Sequence, residues 1–268
     1  AGVKNITLTT VLNGCSSPIT TVPVTVNALP LVTISPVAAI CAGESTTLHA
    51  TGATSYSWSP AAGLISQTGS SVIASPATTT TYQVTGTYLG CTDSATVTVS
   101  IKPNPVSSFT ATSPVCLGAD AAVTYTGTNL PNTIYNWNFA GGTVLSGTAQ
   151  GPYQVNWNTS GVKNLSLITT LNGCSSPLTS VPVTVNPLPV VSVSPDAAIC
   201  AGESTQLTAS GADTYAWSPA QSLSSAAGAS VSASPMNNTS YMVTGNTAGC
   251  TGTATVSVQV TPVPIASF

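Results

Sequence analysis

The sequence predicts an all-β protein made of tandem β-sandwich domains in an extended array. Apolar and polar residues alternate over short runs rich in Val, Thr and Ile, which is the pattern of half-buried strands. Turn residues, mainly Gly, Pro and Asn, interrupt these runs every 8 to 12 residues or so, as in sandwich folds. The third observation is a long internal repeat, and no helical stripe competes with the strand pattern anywhere.

The strands are predicted in chain order from this alternation. The first full unit contains six runs: Leu31–Ser35, Ser45–Ala50, Ser55–Ser59, Ser70–Ser75, Thr80–Gly86 and Ala95–Ile101. Seven further runs follow between Val106 and Val185. The tetrapeptide LNGC, at Leu12 and again at Leu171, carries the Asn-Gly pair that predicts a tight hairpin.

The repeat has a period of 159 residues. The stretch GVKNITLTTVLNGCSSPITTVPVTVN (Gly2–Asn27) returns as GVKNLSLITTLNGCSSPLTSVPVTVN (Gly161–Asn186). This period is longer than a solenoid unit, so each period is expected to hold two small domains. The chain starts and stops inside a unit, which predicts a window cut from a longer array.

Proline-rich joints predict the limits of the domains. They lie near Pro30, Pro103, Pro187 and Pro262 and favour extended, semi-rigid linkers. The predicted units are the end of one domain (1–28), a complete domain (29–102), a complete domain of a second type (103–187), another of the first type (188–261) and the start of the next (262–268).

The second domain type resembles a PKD domain. IYNWNFAGGTV, from Ile134, resembles that family's Trp-Asp-Phe-Gly-Asp-Gly stretch, and PYQVNWNTSGVKNLSL resembles its Gly-x-Tyr-x-Val-x-Leu strand. The resemblance makes 1–28 the end of a PKD-like domain, 103–187 a complete one and 262–268 the start of another. Asn138 and Gly142 replace two aspartates of the family pattern, so no metal or turn role is carried over to them.

The first domain type is similar to the Ig-like repeats of very large surface proteins secreted by gliding Bacteroidota. The residues that carry this are CAGESTTL, YSWSPAAGL and ASPATTTTYQVTG in 29–102, with counterparts in 188–261. Such proteins include gliding-motility adhesins exported by the type IX system. The resemblance implies an extracellular or cell-surface location and a structural or adhesive role, without enzyme activity.

The near absence of charge excludes several classes of function. Charged residues make up 3% of the chain and the net charge is −3, against about 25% charged residues in ordinary domains. Three lysines cannot build the basic patch that phosphate binding needs, so nucleic acid is excluded. No apolar run approaches the ~18 residues needed to cross a bilayer, so this segment is not expected to insert into a membrane.

Three disulfides are predicted, each within one domain: Cys41–Cys91, Cys116–Cys174 and Cys200–Cys250. Cys15 is expected to pair with a residue before the start of the chain. The Cα atoms of a disulfide lie within about 7 Å, and four predicted strands, an even number, bring the chain from Cys41 back to the same end at Cys91. Five strands separate Cys116 from Cys174 unless Thr143–Gly147 turns back. The pairs imply an oxidising, extracellular compartment.

No catalytic, cofactor or metal site is predicted. Glu44 and Glu203 are the only carboxylates present in both copies, and each fits a turn that accepts backbone N–H groups. Paired acids for glycoside hydrolysis and clustered carboxylates for calcium do not occur. The single His49 is replaced by Thr208 in the second copy.

Two sites on the surface are candidates for glycan chemistry. Trp58 and Trp217 lie mid-strand and are expected in the core, whereas Trp157 is a candidate contact for polysaccharide. Ser94, in Asp93-Ser94-Ala95, matches a short O-glycosylation motif.

The sequence therefore predicts a structural segment of a long extracellular stalk or fibre. Because edge strands are normally protected by charge, and this chain has little, it is expected to associate with other copies of itself into a filament or surface layer. Two alternatives stay open, namely polysaccharide-binding adhesin modules and a non-catalytic appendage of a secreted hydrolase.

Overall fold

The computed structural model describes residues 1–265 and is all-β, as predicted. Contacts divide the chain into two compact units. The first contains Ala1–Asn104 together with Asn172–Cys174, and the second contains Pro105–Leu171 and the residues from Ser175 onward. Within the described part of the chain, no helix is long and apolar enough to cross a bilayer.

The first unit begins with two nested hairpins. Their strands are β1 (Gly2–Leu8), β2 (Val11–Leu12), β3 (Cys15–Ser16) and β4 (Thr20–Val26). β1 pairs antiparallel with β4, and β2 pairs with β3 across the Asn-Gly turn. Asn13 and Gly14 both have positive φ, 48° and 86°, which is the geometry that an Asn-Gly hairpin turn requires.

The first sandwich follows in the same unit. Its strands are β5 (Thr33–Ile34), β6 (Ile40–Cys41), β7 (Thr46–Thr51), β8 (Ser55–Ser59), β9 (Ser71–Ala74), β10 (Thr80–Tyr88), β11 (Cys91–Val99) and β12 (Ile101–Lys102). One sheet has the order β5-β7-β9 and the other β8-β10-β11, while β6 pairs parallel with β12. β6 is absent from the predicted strands, because a two-residue strand leaves no alternation to detect, whereas the predicted run Ala95–Ile101 reaches into β12.

The second sandwich lies in the second unit, apart from its turn Asn172–Cys174, which belongs to the first. Its strands are β13 (Phe109–Ala111), β14 (Val115–Cys116), β15 (Ala121–Tyr125), β16 (Ile134–Asn138), β17 (Thr143–Ser146), β18 (Tyr153–Asn156), β19 (Gly161–Leu171), β20 (Cys174–Ser175) and β21 (Thr179–Asn186). The sheet β13-β15-β18-β17 packs on the sheet β14-β21-β19-β16, and β20 pairs with β19.

The third sandwich repeats the first. Its strands are β22 (Ser192–Val193), β23 (Ala197–Cys200), β24 (Thr205–Ser210), β25 (Thr214–Ser218), β26 (Ser230–Ala233), β27 (Thr239–Thr247) and β28 (Cys250–Thr261). The sheets have the orders β22-β24-β26 and β23-β28-β27-β25. β23 runs parallel to the end of β28, as β6 does to β12.

Three separate hydrophobic cores hold these sandwiches together. They draw on residues between Val32 and Ile101, between Phe109 and Val185, and between Val191 and Val260. Trp58 and Trp217 are buried in the first and third cores, which confirms the core position predicted for both. The limits of the domains themselves stay a prediction.

Candidate functional site

The cysteines form bonds that differ from the predicted ones. Two disulfides are present, Cys41–Cys174 and Cys116–Cys250, each with a Cα–Cα distance of 5.5 Å. The three within-domain pairs predicted from the sequence are therefore wrong. Each bond instead joins a strand of one sandwich to a hairpin turn of the next, over separations of 133 and 134 residues.

Two classes of cysteine take part. The strand-end cysteines, Cys41, Cys116 and Cys200, each end a short strand that pairs parallel with the last strand of its sandwich. Each is followed by the sequence x-Gly. The turn cysteines follow a two-residue turn in which both residues have positive φ; they are Cys15, Cys91, Cys174 and Cys250. Each disulfide joins one strand-end cysteine to one turn cysteine.

The predicted pairs fail because their members lie at opposite ends of a sandwich. Cys41 pairs in register with Lys102 at the end of β12, whereas Cys91 begins β11, about 11 residues earlier on the same edge. At ~3.3 Å per residue these positions are about 35 Å apart, far beyond the ~7 Å that a disulfide spans. The same relation holds in the other two sandwiches.

The segment 60–70 explains why the strand count for Cys41 and Cys91 is wrong. It contains no predicted strand, but it crosses the sandwich from one end to the other. Isolated bridges join Ser57 to Thr68 and Leu64 to Ala74, both antiparallel. The crossing makes five strands between Cys41 and Cys91, an odd number, which puts the two residues at opposite ends.

A hydrogen bond from a side chain to a turn carbonyl accompanies each disulfide. In the first unit, Lys102 Nζ donates to the carbonyl of Asn172 at 3.3 Å, in the turn that carries Cys174. In the second unit, Asn186 Nδ2 donates to the carbonyl of Ala248 at 3.3 Å, in the turn that carries Cys250. Cys174 and Cys250 are both buried. The bonds are thus part of packed contacts between a turn and the end of a sandwich.

Glu44 and Glu203 set the geometry of two of the strand-end cysteines, Cys41 and Cys200. Glu44 Oε2 accepts the N–H of Cys41 at 3.1 Å, and Glu203 Oε2 accepts the N–H of Cys200 at 3.4 Å. Each glutamate N–H also donates to the carbonyl of its cysteine at 3.0 Å. These contacts are the turn role predicted for the two carboxylates.

Three cysteines carry free thiols. Cys15 and Cys200 are exposed and Cys91 is half-buried. The prediction that only Cys15 lacks a partner within the chain is therefore wrong, because Cys91 and Cys200 also lack one here.

Trp157 is buried, so its prediction as a polysaccharide contact is wrong. It is 2% exposed, and its Nε1 donates to the carbonyl of Phe139 at 3.0 Å. Tyr153, Val155 and Trp157 all point to the core, so the alternation of β18 continues one residue beyond the strand. This alternation is the sequence signal that predicts burial of Trp157. The finding removes the observation that favoured polysaccharide binding.

The remaining candidate positions serve the fold. Ser94 is exposed in β11, where its Oγ accepts from Gln83 Nε2 at 3.2 Å, so its glycosylation stays a prediction. Asn138 Oδ1 accepts the N–H of Ala140 at 2.8 Å. Gly142 leaves no room for a side chain, because a Cβ there would lie 2.5 Å from Val155 Cγ1.

Titratable side chains do not converge in the described residues. No group of three His, Cys, Asp or Glu side chains there could hold a metal ion. The His49 ring forms a hydrogen bond with Ser71, with 2.8 Å between Nδ1 and Oγ. Among the tyrosines, burial raises the pKa of Tyr82, Tyr125 and Tyr153 above the ordinary value of 10.0.

Comparisons with known proteins give structural similarities only. No protein-family model matches the chain, and no curated protein matches it. The I-band fragment I67–I69 of titin is 14% identical over 88% of this chain and 100% of its own, with a TM-score of 0.46. Immunoglobulin domains 1–5 of Sidekick-1 are 14% identical over 88% of this chain and 60% of theirs, with a TM-score of 0.33.

A third similar structure comprises extracellular domains 3–5 of Drosophila OTK. It is 13% identical over 88% of this chain and 98% of its own, with a TM-score of 0.33. The strands, sheets and cores of this chain form tandem Ig-like β-sandwiches.

Proposed function

We propose that the chain is a non-catalytic structural segment of an extracellular stalk or fibre. One observation carries the proposal: each disulfide joins a strand-end cysteine of one sandwich to a turn cysteine of the next. A bond inside a domain stabilises that domain, whereas a bond across a junction also limits how the domains move. Bonds of the second kind suit a protein that must keep its length under load.

The disulfides and the sequence resemblance support an extracellular location. Disulfides form and persist in oxidising compartments, and this chain uses four of its seven cysteines in them. The resemblance of 29–102 and 188–261 to Ig-like repeats of Bacteroidota surface proteins, and of 103–187 to PKD domains, favours a cell-surface stalk. The proposal includes the domain limits that were predicted from the proline-rich joints.

Small-angle X-ray scattering of the oxidised chain tests the stalk. A compact protein of 268 residues has a radius of gyration of about 18 Å, and a string of sandwiches is expected to exceed it clearly. Replacing Cys41 and Cys116 by Ser should broaden the distribution of interatomic distances while leaving the far-UV circular dichroism unchanged. A radius near 18 Å for the oxidised chain would contradict the proposal.

Association between copies is the second part of the proposal, and the edge of β11 favours it. In the described chain, β11 pairs only with β10, so its other edge presents free N–H and C=O groups. Soluble proteins protect such edges with charge. The one charged residue of β11 is Asp93, whose Oδ2 accepts the N–H of Val32 at 3.1 Å.

Sedimentation at rising concentration tests this association. The oxidised wild type is expected to self-associate, and Thr96→Lys, at an exposed position of β11, should weaken association by placing a charge on the edge. Gln67→Lys adds the same charge in the exposed segment 60–70 and should not. A wild type that stays monomeric at high concentration, or equal effects of the two lysines, would contradict association through β11.

A further inference from the structure

We propose that Cys15, Cys91 and Cys200 form the same cross-domain bonds with adjacent repeats of the same chain, so that every junction of the array is disulfide-bonded. The inference rests on the proposed function and extends it from two bonds to a continuous ladder. Its basis is a pairing rule that both disulfides follow. In each of them, a strand-end cysteine bonds to the turn cysteine that lies 133 or 134 residues later in the chain.

The 159-residue repeat places each free thiol at the position of a bonded cysteine. Cys200 corresponds to Cys41, Cys15 to Cys174, and Cys91 to Cys250. The local geometry is also repeated. Cys200 has the glutamate turn of Cys41, and Cys15 has the positive-φ turn of Cys174. By the pairing rule, Cys200 requires a turn cysteine in a following repeat, whereas Cys15 and Cys91 require strand-end cysteines in a preceding one.

The N-terminal hairpin gives independent support for a preceding repeat. Ile6 is 61% exposed and Val24 is 39% exposed, whereas their counterparts in the second sandwich, Leu165 and Val183, are fully buried. In that sandwich the sheet β13-β15-β18-β17 covers these positions. The apolar face of the hairpin therefore fits a segment with the sequence pattern of 105–157, which would also bring a strand-end cysteine for Cys91.

A groove beside Cys200 gives independent support for a following repeat. It has a volume of about 440 Å³, and its lining includes Ala201, Val260 and Pro262. Beside the corresponding Cys41, the turn Asn172–Cys174 is held by the disulfide and by Lys102. The groove at Cys200 thus lies where a second turn of the same kind would dock.

The bond-forming step is an ordinary thiol oxidation. Two thiols lose two protons and two electrons and form one S–S bond, and a disulfide oxidant of the extracellular or refolding medium accepts them and becomes two thiols. Cys200 and Cys15 are exposed, so both can reach a mixed disulfide with such an oxidant.

The ladder would contain two independent covalent paths. One follows the backbone from Cys15 to Cys41, crosses to Cys174 by the disulfide and continues to Cys200. The other follows the backbone from Cys91 to Cys116 and crosses to Cys250 by the second disulfide. Each path contains only about 26 residues of backbone per repeat, or about 90 Å at ~3.5 Å per residue, against about 560 Å for an unlinked repeat. The fully unfolded, disulfide-linked array would therefore reach only about one sixth of the length of an unlinked chain.

The test is a chain with one more repeat, made by placing a second copy of residues 110–268 after Phe268. It has 11 cysteines, and refolding with reduced and oxidised glutathione should give four disulfides and three thiols by alkylation and mass spectrometry. Peptide mapping should find Cys200 bonded to the Cys174 position of the added copy. Because scattering tests the stalk separately, a failure of the stalk and a failure of the additional disulfides can be told apart.

Two substitutions in this longer chain are matched controls. Cys200→Ser should leave four thiols, because its partner in the added repeat becomes free, whereas Cys91→Ser should leave two. Cys200 that stays free, that bonds within its own sandwich, or that bonds to Cys15 of another molecule would overturn the inference.

Discussion

Buried aromatic residues anchor each sandwich through the polar atom of the ring. Trp58 Nε1 donates to the carbonyl of Gly69, and Trp217 Nε1 donates to that of Gly228, both at 2.9 Å. The hydroxyl of Tyr82 donates to the carbonyl of Ala62 at 2.7 Å. A buried ring with a satisfied donor contributes a large apolar area without an unpaired polar group, so the Trp58 and Tyr82 contacts fix the segment 60–70 on the first core.

The buried tyrosines predict a loss of stability at alkaline pH. Burial raises the pKa of Tyr82, Tyr125 and Tyr153, and at Tyr125 the nearby Tyr135 raises the pKa further. The folded chain thus holds these protons more tightly than the unfolded chain. The stabilisation is fully present below the ordinary value of 10.0 and is lost as the pH rises through the folded pKa.

Absorbance at 295 nm and circular dichroism, followed together above pH 10, check this prediction. The phenolate signal of Tyr82, Tyr125 and Tyr153 should rise together with the loss of β-structure, and Tyr82→Phe should lower that late signal. Titration of all tyrosines in one step, well before unfolding, would contradict it.

Single residues were predictable where the strand period extended to them. Trp58 and Trp217 lie mid-strand, and their burial followed from alternation alone. Trp157 stands one residue beyond β18, and only the continued alternation with Val155 and Tyr153 places it inside. Gly142 carried no signal, because its close contact with Val155 depends on how two sheets pack.

At the scale of elements, regular strands were predictable and irregular crossings were not. β7, β8, β9 and β10 lie within a few residues of their predicted limits. The segment 60–70 crosses the first sandwich with two isolated bridges, and its Pro, Gly and Ser residues conceal the crossing. Because the direction of every later strand in this sandwich depends on it, one hidden crossing was enough to put Cys91 at the opposite end from Cys41.

Gly52 supplies a test of element packing. It has a φ of +99°, and a Cβ at this position would overlap the backbone oxygen of Leu31. Gly52→Ala should therefore destabilise the first sandwich by ~2–4 kcal/mol, since backbone strain and a steric clash add. Gly90→Ala is the matched control, because Gly90 has a φ of +81° with open space around it, and its cost should be about 1 kcal/mol. Equal shifts of the urea midpoint would contradict the role of the Leu31 contact.

At the scale of the whole molecule, the repeat was predictable and the bonds between domains were not. Strand alternation says nothing about which domain ends meet at a junction. One signal was present in the sequence, however. The spacings from Cys41 to Cys174 and from Cys116 to Cys250 are nearly equal at 133 and 134 residues, although the domains between them differ in type.

Removing one cross-domain bond should destabilise the first sandwich. When that sandwich unfolds beside a folded second one, the Cys41–Cys174 bond and the joint near Asn104 close a loop of roughly 60 residues, worth about 4 kcal/mol in the chain-entropy model. Cys41→Ser with Cys174→Ser should lower the first melting midpoint by ~15 °C or more. Cys200→Ser with Cys15→Ser changes the corresponding positions without breaking a bond and should leave the midpoint unchanged. Equal midpoints for the two variants would contradict this contribution.

Stretching single molecules from their ends distinguishes cross-domain bonds from bonds within domains. In the oxidised chain the shortest covalent path runs from residue 1 to Cys41, crosses to Cys174, returns to Cys116 and crosses to Cys250. It contains about 116 residues, or roughly 400 Å, whereas the reduced chain should reach roughly 930 Å.

The double substitution of Cys41 and Cys174 by Ser separates the two arrangements. It breaks one cross-domain bond, and the path through Cys116–Cys250 should then give a contour length of about 470 Å. Were the bonds within domains, the same two substitutions would break two of them, and the length would reach about 760 Å. Because the two lengths differ by about 300 Å, force spectroscopy resolves them directly, and a length near 760 Å would exclude the cross-domain bonds.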